Sequence, residues 1–441
     1  MKKQSEYNIV VENGEKSIYF NSYSGASVGL NKKEHQAVKE EFKNLENFET
    51  EYPNIFQKFY DFGFIIDEER NEKEEILFHK KQGVFLDREY RLFINPTLDC
   101  NFNCWYCYEE HPKGKMTNEV FEKIKKHIEL KSKEISGLHL SWFGGEPLMY
   151  FDEIVYPMSL FAKNLMQEKH LSFINSITTN AYYINQKMIE RIKEIDLRYF
   201  QITLDGNKEK HDKVRKHYGQ PTFDIICNNI IELCNTLENV HITLRINYDE
   251  QTLNYGLDFL KNFPEEIRYK INIDFQRVWQ TYSQEQEKQL NKQLLLAKEN
   301  AITLGFQVQF WRFFLHEQYA CYVDHYQHLE VNYDGKIYRC TAKGYKPEYE
   351  VGSLDENGVA HIIFDRDAKQ FCKLTVENDL CLNCKYLPMC GGACWQNYKT
   401  FDKPICIHER FEIPFETAII KNYEYKNKFY EISKKLQNTV P

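Results

Sequence analysis

From about Tyr90 onward, short apolar runs alternate with longer segments of helical periodicity. The apolar runs predict six strands, at Tyr90 to Asn95, Leu138 to Phe143, Ile174 to Thr179, Tyr199 to Leu204, Ile242 to Asn247 and Ile271 to Val278. Strands that alternate with helices form parallel sheets. The pattern therefore predicts an α/β fold, a partial (β/α)6 barrel of the TIM type, with its chemistry at the carboxyl ends of the strands.

A different pattern precedes this one and predicts a small domain of mixed structure. Its elements are strands at Tyr7 to Val11, Ser17 to Asn21 and Phe64 to Ile66, and helices after Asn31 and around Ile55 to Tyr60. Asn13-Gly14 supplies the positive φ angles of a tight hairpin, and Asn31 with Glu34 forms a capping-box variant. The charged run Asp67 to Glu75 is predicted to be a solvated linker.

Two further helices are predicted from periodicity. Gln284 to Asn300 is a polar helix with Leu290 and Leu294 to Leu296 as its apolar stripe, on the outside of the barrel. Cys227 and Cys234 are seven residues apart in another helical pattern, and we expect them to be buried apolar residues. Cys372 matches no motif.

The amino-acid composition limits the classes of substrate and partner that the protein can have. The chain has 441 residues, 42% hydrophobic residues and a net charge of −8, which predicts two or three domains and gives no basic surface for nucleic acid or anionic membrane. Peptide or small-molecule substrates are favoured. The first residues lack a signal-peptide core, and no apolar run is long enough for a membrane span, so we expect a cytoplasmic protein. Thirteen cysteines without an export signal indicate metal or cluster ligation.

Three of these cysteines follow the first predicted strand. Cys100, Cys104 and Cys107 have the spacing C-x3-C-x2-C within PTLDCNFNCWYCY. Three thiolates can hold three corners of a [4Fe-4S] cube, which leaves one iron open to a small ligand. A zinc knot is the structural alternative, but such a site normally uses four ligands from paired knuckles.

This loop resembles the signature of radical SAM enzymes, with Tyr106 at the family's aromatic position before the last cysteine. The resemblance implies that the open iron chelates the amino and carboxylate groups of S-adenosyl-L-methionine (SAM). Electron transfer from the cluster then breaks a C–S bond and gives a 5′-deoxyadenosyl radical, which abstracts hydrogen from unactivated carbon.

The ends of the later strands also resemble this family. The matching residues are Gly144, Gly145 and Glu146 after the second strand, Asn180 after the third, and Thr203, Asp205 and Arg215 from the fourth onward. The resemblance implies that Glu146 binds the methionyl amino group, Thr203 the ribose and Arg215 the carboxylate. Arg215 could equally be a surface charge. Arg245 and Asn247 should face the same side of the fifth strand and line the pocket.

Seven cysteines in the last third of the chain resemble the SPASM extension of radical SAM enzymes. They are Cys321, Cys340, Cys381, Cys384, Cys390, Cys394 and Cys406. The resemblance implies two auxiliary [4Fe-4S] clusters: an outer one held by Cys381, Cys384, Cys390 and Cys406, and an inner one held by Cys321, Cys340 and Cys394. A zinc ribbon is the alternative for the segment from Cys381 to Cys394. The inner set lacks an eighth cysteine, and between Phe310 and Ala320 only His316 is another strong ligand.

Three domains follow from these patterns: 1–80, 86–310 and 311–441. The first resembles the winged-helix-like peptide-recognition domain fused to many radical SAM peptide maturases, which binds a leader peptide by adding it as a strand at a sheet edge. The alternative is a small cap on the barrel. The third is a cysteine-rich SPASM domain ending in a helix.

The resemblance implies an oxidoreductase that matures a ribosomally synthesised precursor peptide by installing a thioether or carbon–carbon crosslink. Its cofactors would be three [4Fe-4S] clusters and SAM, and its partners the precursor with its leader and a reductant such as flavodoxin or ferredoxin. Three alternatives stay open: an anaerobic sulfatase-maturating enzyme, a peptide epimerase and a non-enzymatic zinc or Fe-S scaffold. The sulfatase maturases carry an aspartate base next to the second cysteine of the extension, where this chain has Thr341.

Overall fold

The computed structural model describes residues 1–254, 256–278, 284–310, 321–397, 403–406 and 413–437. His316 lies outside these residues. The chain divides into two compact units: Met1–Asp87, Phe310–Tyr326 and Gln370–Asn427 in the first, and Arg88–Gln309, Gln327–Lys369 and Lys428–Pro441 in the second. Both units combine segments from distant parts of the sequence, and the three domain boundaries predicted above remain predictions.

The second unit contains one large sheet. Its strands are β6 (Glu89–Ile94), β7 (Gly137–Trp142), β8 (Ser172–Thr179), β9 (Leu197–Leu204), β10 (His241–Tyr248), β11 (Ile271–Arg277), β12 (Gln307–Val308), β13 (His328–Val331), β14 (Lys336–Tyr338), β15 (Gly352–Leu354) and β16 (Ala360–Ile362). Their order is β12-β11-β10-β9-β8-β7-β6-β13-β14-β15-β16. The six predicted strands are confirmed as the parallel run β6 to β11. Strands β12 and β13 extend that run in parallel on either side, and β14 to β16 are antiparallel.

The two faces of the parallel strands differ in chemistry. Leu92, Leu140, Ile202, Leu244 and Ile273 are buried on one face. Side chains alternate along a strand, so the opposite face carries the intervening residues. In register along that face lie Glu330, Phe93 and Ser141 on three neighbouring strands, and Thr203 and Arg245 on two others. A largely polar face on an otherwise buried parallel sheet is where a ligand site is expected.

Helices connect these strands. They are α5 (Asn118–Lys131), α6 (Tyr156–Glu168), α7 (Gln186–Glu194), α8 (Lys208–Val214), α9 (Phe223–Thr236), α10 (Glu250–Asn254) and α11 (Gln284–Thr303). Cys227 and Cys234 are buried in α9, as predicted. Helix α11 confirms the predicted polar helix and buries Leu290 and Leu294, but Leu296 is 65% exposed, so its place in the apolar stripe was wrong. It projects from another side of the helix than Leu290 and Leu294.

The N-terminal part of the first unit contains five strands and four helices. These are β1 (Lys2–Gln4), β2 (Asn8–Asn13), β3 (Lys16–Asn21), β4 (Ser27–Asn31), α1 (Lys32–Glu41), α2 (Leu45–Glu51), α3 (Pro53–Asp61), β5 (Ile65–Asp67) and α4 (Glu72–Phe85). Strands β2, β3 and β4 form an antiparallel sheet in that order, and β1 pairs with β5. The predicted hairpin is confirmed, with Gly14 at φ +61°. So is the capping box, in which Asn31 and Glu34 bond each other's backbone N–H.

The predicted solvated linker between Asp67 and Glu75 was wrong. Its second half is the first turn of α4, and Glu72 is only 4% exposed. The Glu72 carboxylate accepts hydrogen bonds from the Ser5 hydroxyl at 2.8 Å and from the Glu6 backbone N–H at 3.0 Å. A dense run of charges marks a helix N-terminus here, because acidic side chains in a first turn are stabilised by the helix dipole.

Both faces of the β2-β3-β4 sheet are covered within the first unit. On one face, Tyr19 contacts the apolar residues of α1, α2 and α3. On the other, Ile18 and Phe20 contact Met389 in α13 (Leu387–Cys390) and Ile419 in the helix Phe415–Gln437. A short helix, α12 (Asp379–Leu382), precedes α13. The cysteine-rich segment is therefore part of the same core as the N-terminal sheet. Among the helices described, none is long and apolar enough to cross a membrane.

Candidate active site

Cys100, Cys104 and Cys107 lie on one irregular segment that directly follows β6. Burial raises the pKa of the Cys100 thiol to about 12, and it also raises the pKa of Cys104 and Cys107, whereas Arg215 lowers all three. In the described part of the chain, no three His, Cys, Asp or Glu side chains are grouped to hold a single metal ion. Ligands of a cubane bind different irons, so they need not converge on one point.

Tyr106 connects this cysteine loop to two neighbouring strand ends. Its hydroxyl donates to Asp205, at 2.6 Å from Oδ2 and 2.8 Å from Oδ1. It accepts from Arg215 Nη1 at 3.0 Å and from Asn247 Nδ2 at 3.0 Å. A phenol has one donor and two acceptor positions, so these four contacts use its whole hydrogen-bonding capacity. Asp205 follows β9, Arg215 ends α8 and Asn247 belongs to β10.

Arg215 is buried at this point and carries an unused donor. Its guanidinium lies over the ring of Phe102, and its Nε has no hydrogen-bond partner among the residues that the structure describes. Buried guanidinium groups normally have their donors paired. The reading of Arg215 as a surface charge is therefore wrong, and its free N–H suits an anionic ligand.

Gly144 and Gly145 allow the cysteine loop to approach the end of β7. A Cβ on Gly145 would be 2.0 Å from the carbonyl oxygen of Asp99, and one on Gly144 would be 2.7 Å from that of Thr97. Gly144 also has φ +80°, which favours glycine. The glycine pair therefore makes room for the protein's own cysteine loop.

Glu146 is buried and heavily hydrogen-bonded. Its Oε1 accepts from the Thr179 hydroxyl at 2.7 Å and the Leu148 N–H at 2.9 Å, and its Oε2 accepts from the Asn180 N–H at 2.7 Å. Burial raises the pKa of Glu146, while these donors lower it. Each carboxylate oxygen can accept two bonds, so Oε2 retains capacity for one more donor, such as an ammonium group.

Other predicted residues border the same region. The Asn180 amide donates to Asn101 Oδ1 at 2.7 Å and so links the third strand end to the cysteine loop. Thr203 pairs in register with Arg245, and Arg245 Nε donates to Asn247 at 3.0 Å. The prediction that Arg245 and Asn247 face the same side is confirmed.

Four of the C-terminal cysteines line one small, mainly apolar pocket of the first unit. Cys381, Cys384, Cys390 and Cys406 surround it together with Leu380 and Leu387. Burial is the main reason that the pKa of Cys390 is raised to about 12, and the other three thiols contribute to the rise. This is the set expected for the outer cluster.

The three cysteines expected for the inner cluster are divided between the units. Cys321 and Cys394 belong to the first unit and Cys340 to the second, so this set stays a prediction. None of the thirteen cysteines, all within the described residues, forms a disulfide.

Sequence reasoning missed two carboxylates in the second unit, the buried Glu330 and the partly buried Glu109. Glu109 accepts from the Gly145 N–H at 3.1 Å, and Glu330 accepts from the Tyr345 hydroxyl at 2.6 Å. A signal for Glu330 was present, because the strand His328–Val331 places one acid among apolar neighbours and all four of its residues are buried. No comparable signal marks Glu109, which lies in a polar loop.

A parallel α/β sheet with a three-cysteine loop after its first strand defines a radical SAM fold, joined here to a C-terminal SPASM domain. Residues 94–255 match the Radical SAM superfamily, and residues 321–385 match the iron–sulfur cluster-binding SPASM domain. The chain therefore carries both domains, and Fe-S clusters and SAM are the cofactors that they imply.

Relatives with described activities match at low identity. The radical SAM cyclopropyl synthase TigE of Paramaledivibacter caminithermalis is 26% identical over 254 residues, about half of each chain. A cysteine-type anaerobic sulfatase-maturating enzyme of Clostridium novyi is 24% identical over 363 residues, 75% of this chain and 95% of that enzyme. The chain spans about half the length of the first curated relatives it matches.

A solved structure supports the fold. The enzyme anSMEcpe with bound AdoMet superposes with a TM-score of 0.54 and 18% identity, covering 79% of this chain and 95% of that one. At this level of identity the likeness establishes the fold alone.

Proposed function

We propose that this chain is a radical SAM oxidoreductase that installs a thioether or carbon–carbon crosslink in a ribosomally synthesised precursor peptide. The observation that carries a peptide substrate is an apolar groove beside the edge strand β4. Val28 and Leu30 of β4 line it on one side, and Ile55, Phe59 and Phe62 line it on the other. In the described residues β4 pairs only with β3, so its outer backbone groups are open to another strand.

The leader segment of the precursor would bind in this groove as an added strand. Backbone hydrogen bonds to β4 would supply affinity, and the apolar groove would select alternate leader side chains. Ile55 and Phe62 are each 45% exposed and line the same groove, which is consistent with a partner that covers them. This role belongs to the winged-helix-like domain proposed for the N-terminal segment.

The second unit would bind the cofactors. Cys100, Cys104 and Cys107 would hold the catalytic [4Fe-4S] cluster, which with SAM supplies the 5′-deoxyadenosyl radical when both are bound. The free Nε of Arg215 suits the SAM carboxylate, and the remaining acceptor position of Glu146 suits its amino group. Thr203 would contact the ribose. Tyr106, Asp205 and Asn180 would orient these groups, and Gly144 and Gly145 keep the cysteine loop close to them.

Two auxiliary [4Fe-4S] clusters complete the proposal. Cys381, Cys384, Cys390 and Cys406, which share one pocket, would hold the outer cluster. Cys321, Cys340 and Cys394 would hold the inner one and leave an iron open to a substrate thiolate, a soft ligand suited to iron. Such a site favours a thioether product. A reductant such as flavodoxin or ferredoxin would supply electrons in the cytoplasm.

Sulfatase maturation is the second candidate, because the Clostridium novyi enzyme matches this chain over 95% of its own length. The residue after Cys340 weighs against it. The sulfatase maturases have an aspartate base there, and the hydroxyl of Thr341 cannot act as a base near neutral pH.

The test is to react anaerobically reconstituted protein with SAM, dithionite and short peptides encoded beside its gene. We expect 5′-deoxyadenosine and a peptide product lighter by two hydrogens. A sulfatase peptide that gains formylglycine would favour the second candidate instead. Replacing Cys100, Cys104 and Cys107 together by Ala should abolish 5′-deoxyadenosine formation, and persistence of this product would refute the catalytic cluster.

A further inference from the structure

Glu330 is a fully enclosed carboxylate on the polar face of the parallel sheet. It pairs in register with Phe93 on β6, and its relative exposure is 0%. Its Oε1 accepts from the Tyr345 hydroxyl at 2.6 Å and from Asn95 Nδ2 at 3.2 Å. Asn95 directly follows β6 and touches Gly144, where a Cβ would be 2.9 Å from that of Asn95. Glu330 therefore contacts Asn95, which in turn contacts the glycine pair beside the cysteine loop.

Two acceptor atoms at this position are left without donors. Neither Glu330 Oε2 nor Asn95 Oδ1 has a hydrogen-bond partner within the described ranges, although both atoms are buried. A buried carboxylate oxygen without a donor disfavours the ionised form of the group. A proton on Glu330 removes the charge and turns its unpartnered oxygen into a donor. The surroundings therefore favour uptake of a proton by Glu330.

Burial and one neighbouring charge both favour the protonated form of Glu330. Burial is the main reason that its pKa is raised to about 7, and the negative charge of Glu109 adds to the rise. Tyr345 and Asn95 oppose it by donating hydrogen bonds. Burial also raises the pKa of Tyr345, Tyr338 and Tyr108, so these phenols stay neutral near pH 7. Glu109 has its own pKa raised to about 7, mainly by burial.

We propose that Glu330 accepts, through Tyr345, the proton that the peptide loses as its crosslink forms. This inference rests on the proposed function. Hydrogen abstraction would move one hydrogen atom from a peptide carbon to the 5′ carbon of the 5′-deoxyadenosyl radical, which becomes 5′-deoxyadenosine. Bond formation between that carbon radical and a peptide X–H group then releases one proton and one electron. An oxidised iron–sulfur cluster held by the cysteine-rich region would take up the electron, and the proton needs a base.

Tyr345 is required because Glu330 itself is enclosed. Tyr345 is half-buried and its hydroxyl already donates to Glu330 Oε1. Its oxygen takes the substrate proton while its own proton moves to Glu330, so Tyr345 never becomes an anion. A base with a pKa near the working pH is the most effective, and such groups contribute about 10²-fold to 10⁴-fold to rate.

The test separates hydrogen abstraction from crosslinking. With a peptide deuterated at the reacting carbon, we expect E330Q to transfer deuterium to 5′-deoxyadenosine within about twofold of the wild type. Crosslinked product per 5′-deoxyadenosine should fall at least about 100-fold, the lower end of a base effect. Y345F should show the same uncoupling, and E330D should restore part of the product. Absence of deuterium transfer in the wild type would refute the proposed function rather than this inference.

The pH dependence and a spectrum identify the group. Below pH 7 Glu330 is protonated and cannot accept, so wild-type coupling should rise as pH rises through about 7, and E330Q should show no such limb. Glu109 also titrates near pH 7, so infrared difference spectra of the purified protein between pH 6 and pH 8 should show two protonated-carboxyl bands, of which E330Q lacks one and E109Q lacks the other. Unchanged coupling in E330Q, or loss of the limb only in E109Q, would overturn the assignment.

Discussion

The Tyr106 hydroxyl donates to Asp205 Oδ2 at 2.6 Å and thereby joins the three-cysteine loop to the end of β9. The same hydroxyl accepts from Arg215 and Asn247. Three side chains from three different elements are therefore hydrogen-bonded to one oxygen atom. Their arrangement sets the direction in which the free Nε of Arg215 points.

Replacing Tyr106 by Phe should weaken SAM binding about tenfold or more. The ring is kept, but the buried Asp205 loses its donor and Arg215 its acceptor, at a cost of about 1–3 kcal/mol. Equilibrium binding of SAM to reconstituted protein measures this. Tyr218→Phe is the control, because Tyr218 is 88% exposed, and it should bind as the wild type does. Equal affinity of both variants would contradict the positioning role of the hydroxyl.

Replacing Phe62 by Glu should weaken leader binding about tenfold or more. A charge in the groove beside β4 must be desolvated when an apolar leader side chain enters. Fluorescence anisotropy with a labelled leader peptide measures the affinity. Phe78→Glu is a matched control, since Phe78 is 58% exposed on α4 and is not part of the groove lining. SAM cleavage without peptide should be normal in both variants.

Point variants are preferable to a deletion of the N-terminal segment. Ile18 and Phe20 of β3 share a core with Met389 and Ile419, so removing residues 1 to about 75 would expose the cysteine-rich segment. Loss of function in the deletion would not distinguish leader binding from folding. If Phe62→Glu and Phe78→Glu bind the leader equally, the groove is not its site.

Replacing Cys390 by Ala should reduce bound iron by up to one cluster in three. Cys390 lines the pocket that it shares with Cys381, Cys384 and Cys406, and a cubane that loses one of four thiolates is less stable. Iron and sulfide analysis after reconstitution measures the change, from about twelve irons toward about eight. Cys227→Ala, in a buried position on α9, should retain full iron content. Equal iron in both variants would argue against an outer cluster at this pocket.

Replacing Glu330 by Gln should stabilise the protein more at pH 8 than at pH 5. In the unfolded chain the carboxyl ionises near its usual value of 4.5, but in the folded chain its pKa is about 7. The folded state therefore holds a proton that the unfolded state has released, and wild-type stability falls as pH rises between these values. Glutamine does not titrate, so the difference in unfolding free energy should grow by up to about 3 kcal/mol. Urea unfolding at both pH values measures it, and an equal difference at the two would contradict the raised pKa.

The strands and the cofactor motifs were predictable because both are local. Six apolar runs predicted β6 to β11 to within about two residues, since strand periodicity is written in consecutive residues. The cysteine spacing at Cys100, Cys104 and Cys107 is local too, and so is the capping box of Asn31 and Glu34. Two predictions were wrong because they relied on the type of residue and not on its position around a helix or at a helix end. The acidic run at Glu72 was taken for a solvated linker, and Leu296 was counted with its buried neighbours.

By itself, the sequence determined the parallel sheet, the three-cysteine loop and the order of the later cysteines, because each depends on short-range spacing. Tertiary structure alone decided that Tyr106 would hold Asp205, Arg215 and Asn247 together, that Gly145 would make room for Asp99, and that Cys406 would join Cys381, Cys384 and Cys390. It also decided that Glu330 would be enclosed beside Asn95, 235 residues earlier in the chain. Burial and hydrogen bonding between distant segments depend on how strands are ordered in the sheet, and no local pattern encodes that order.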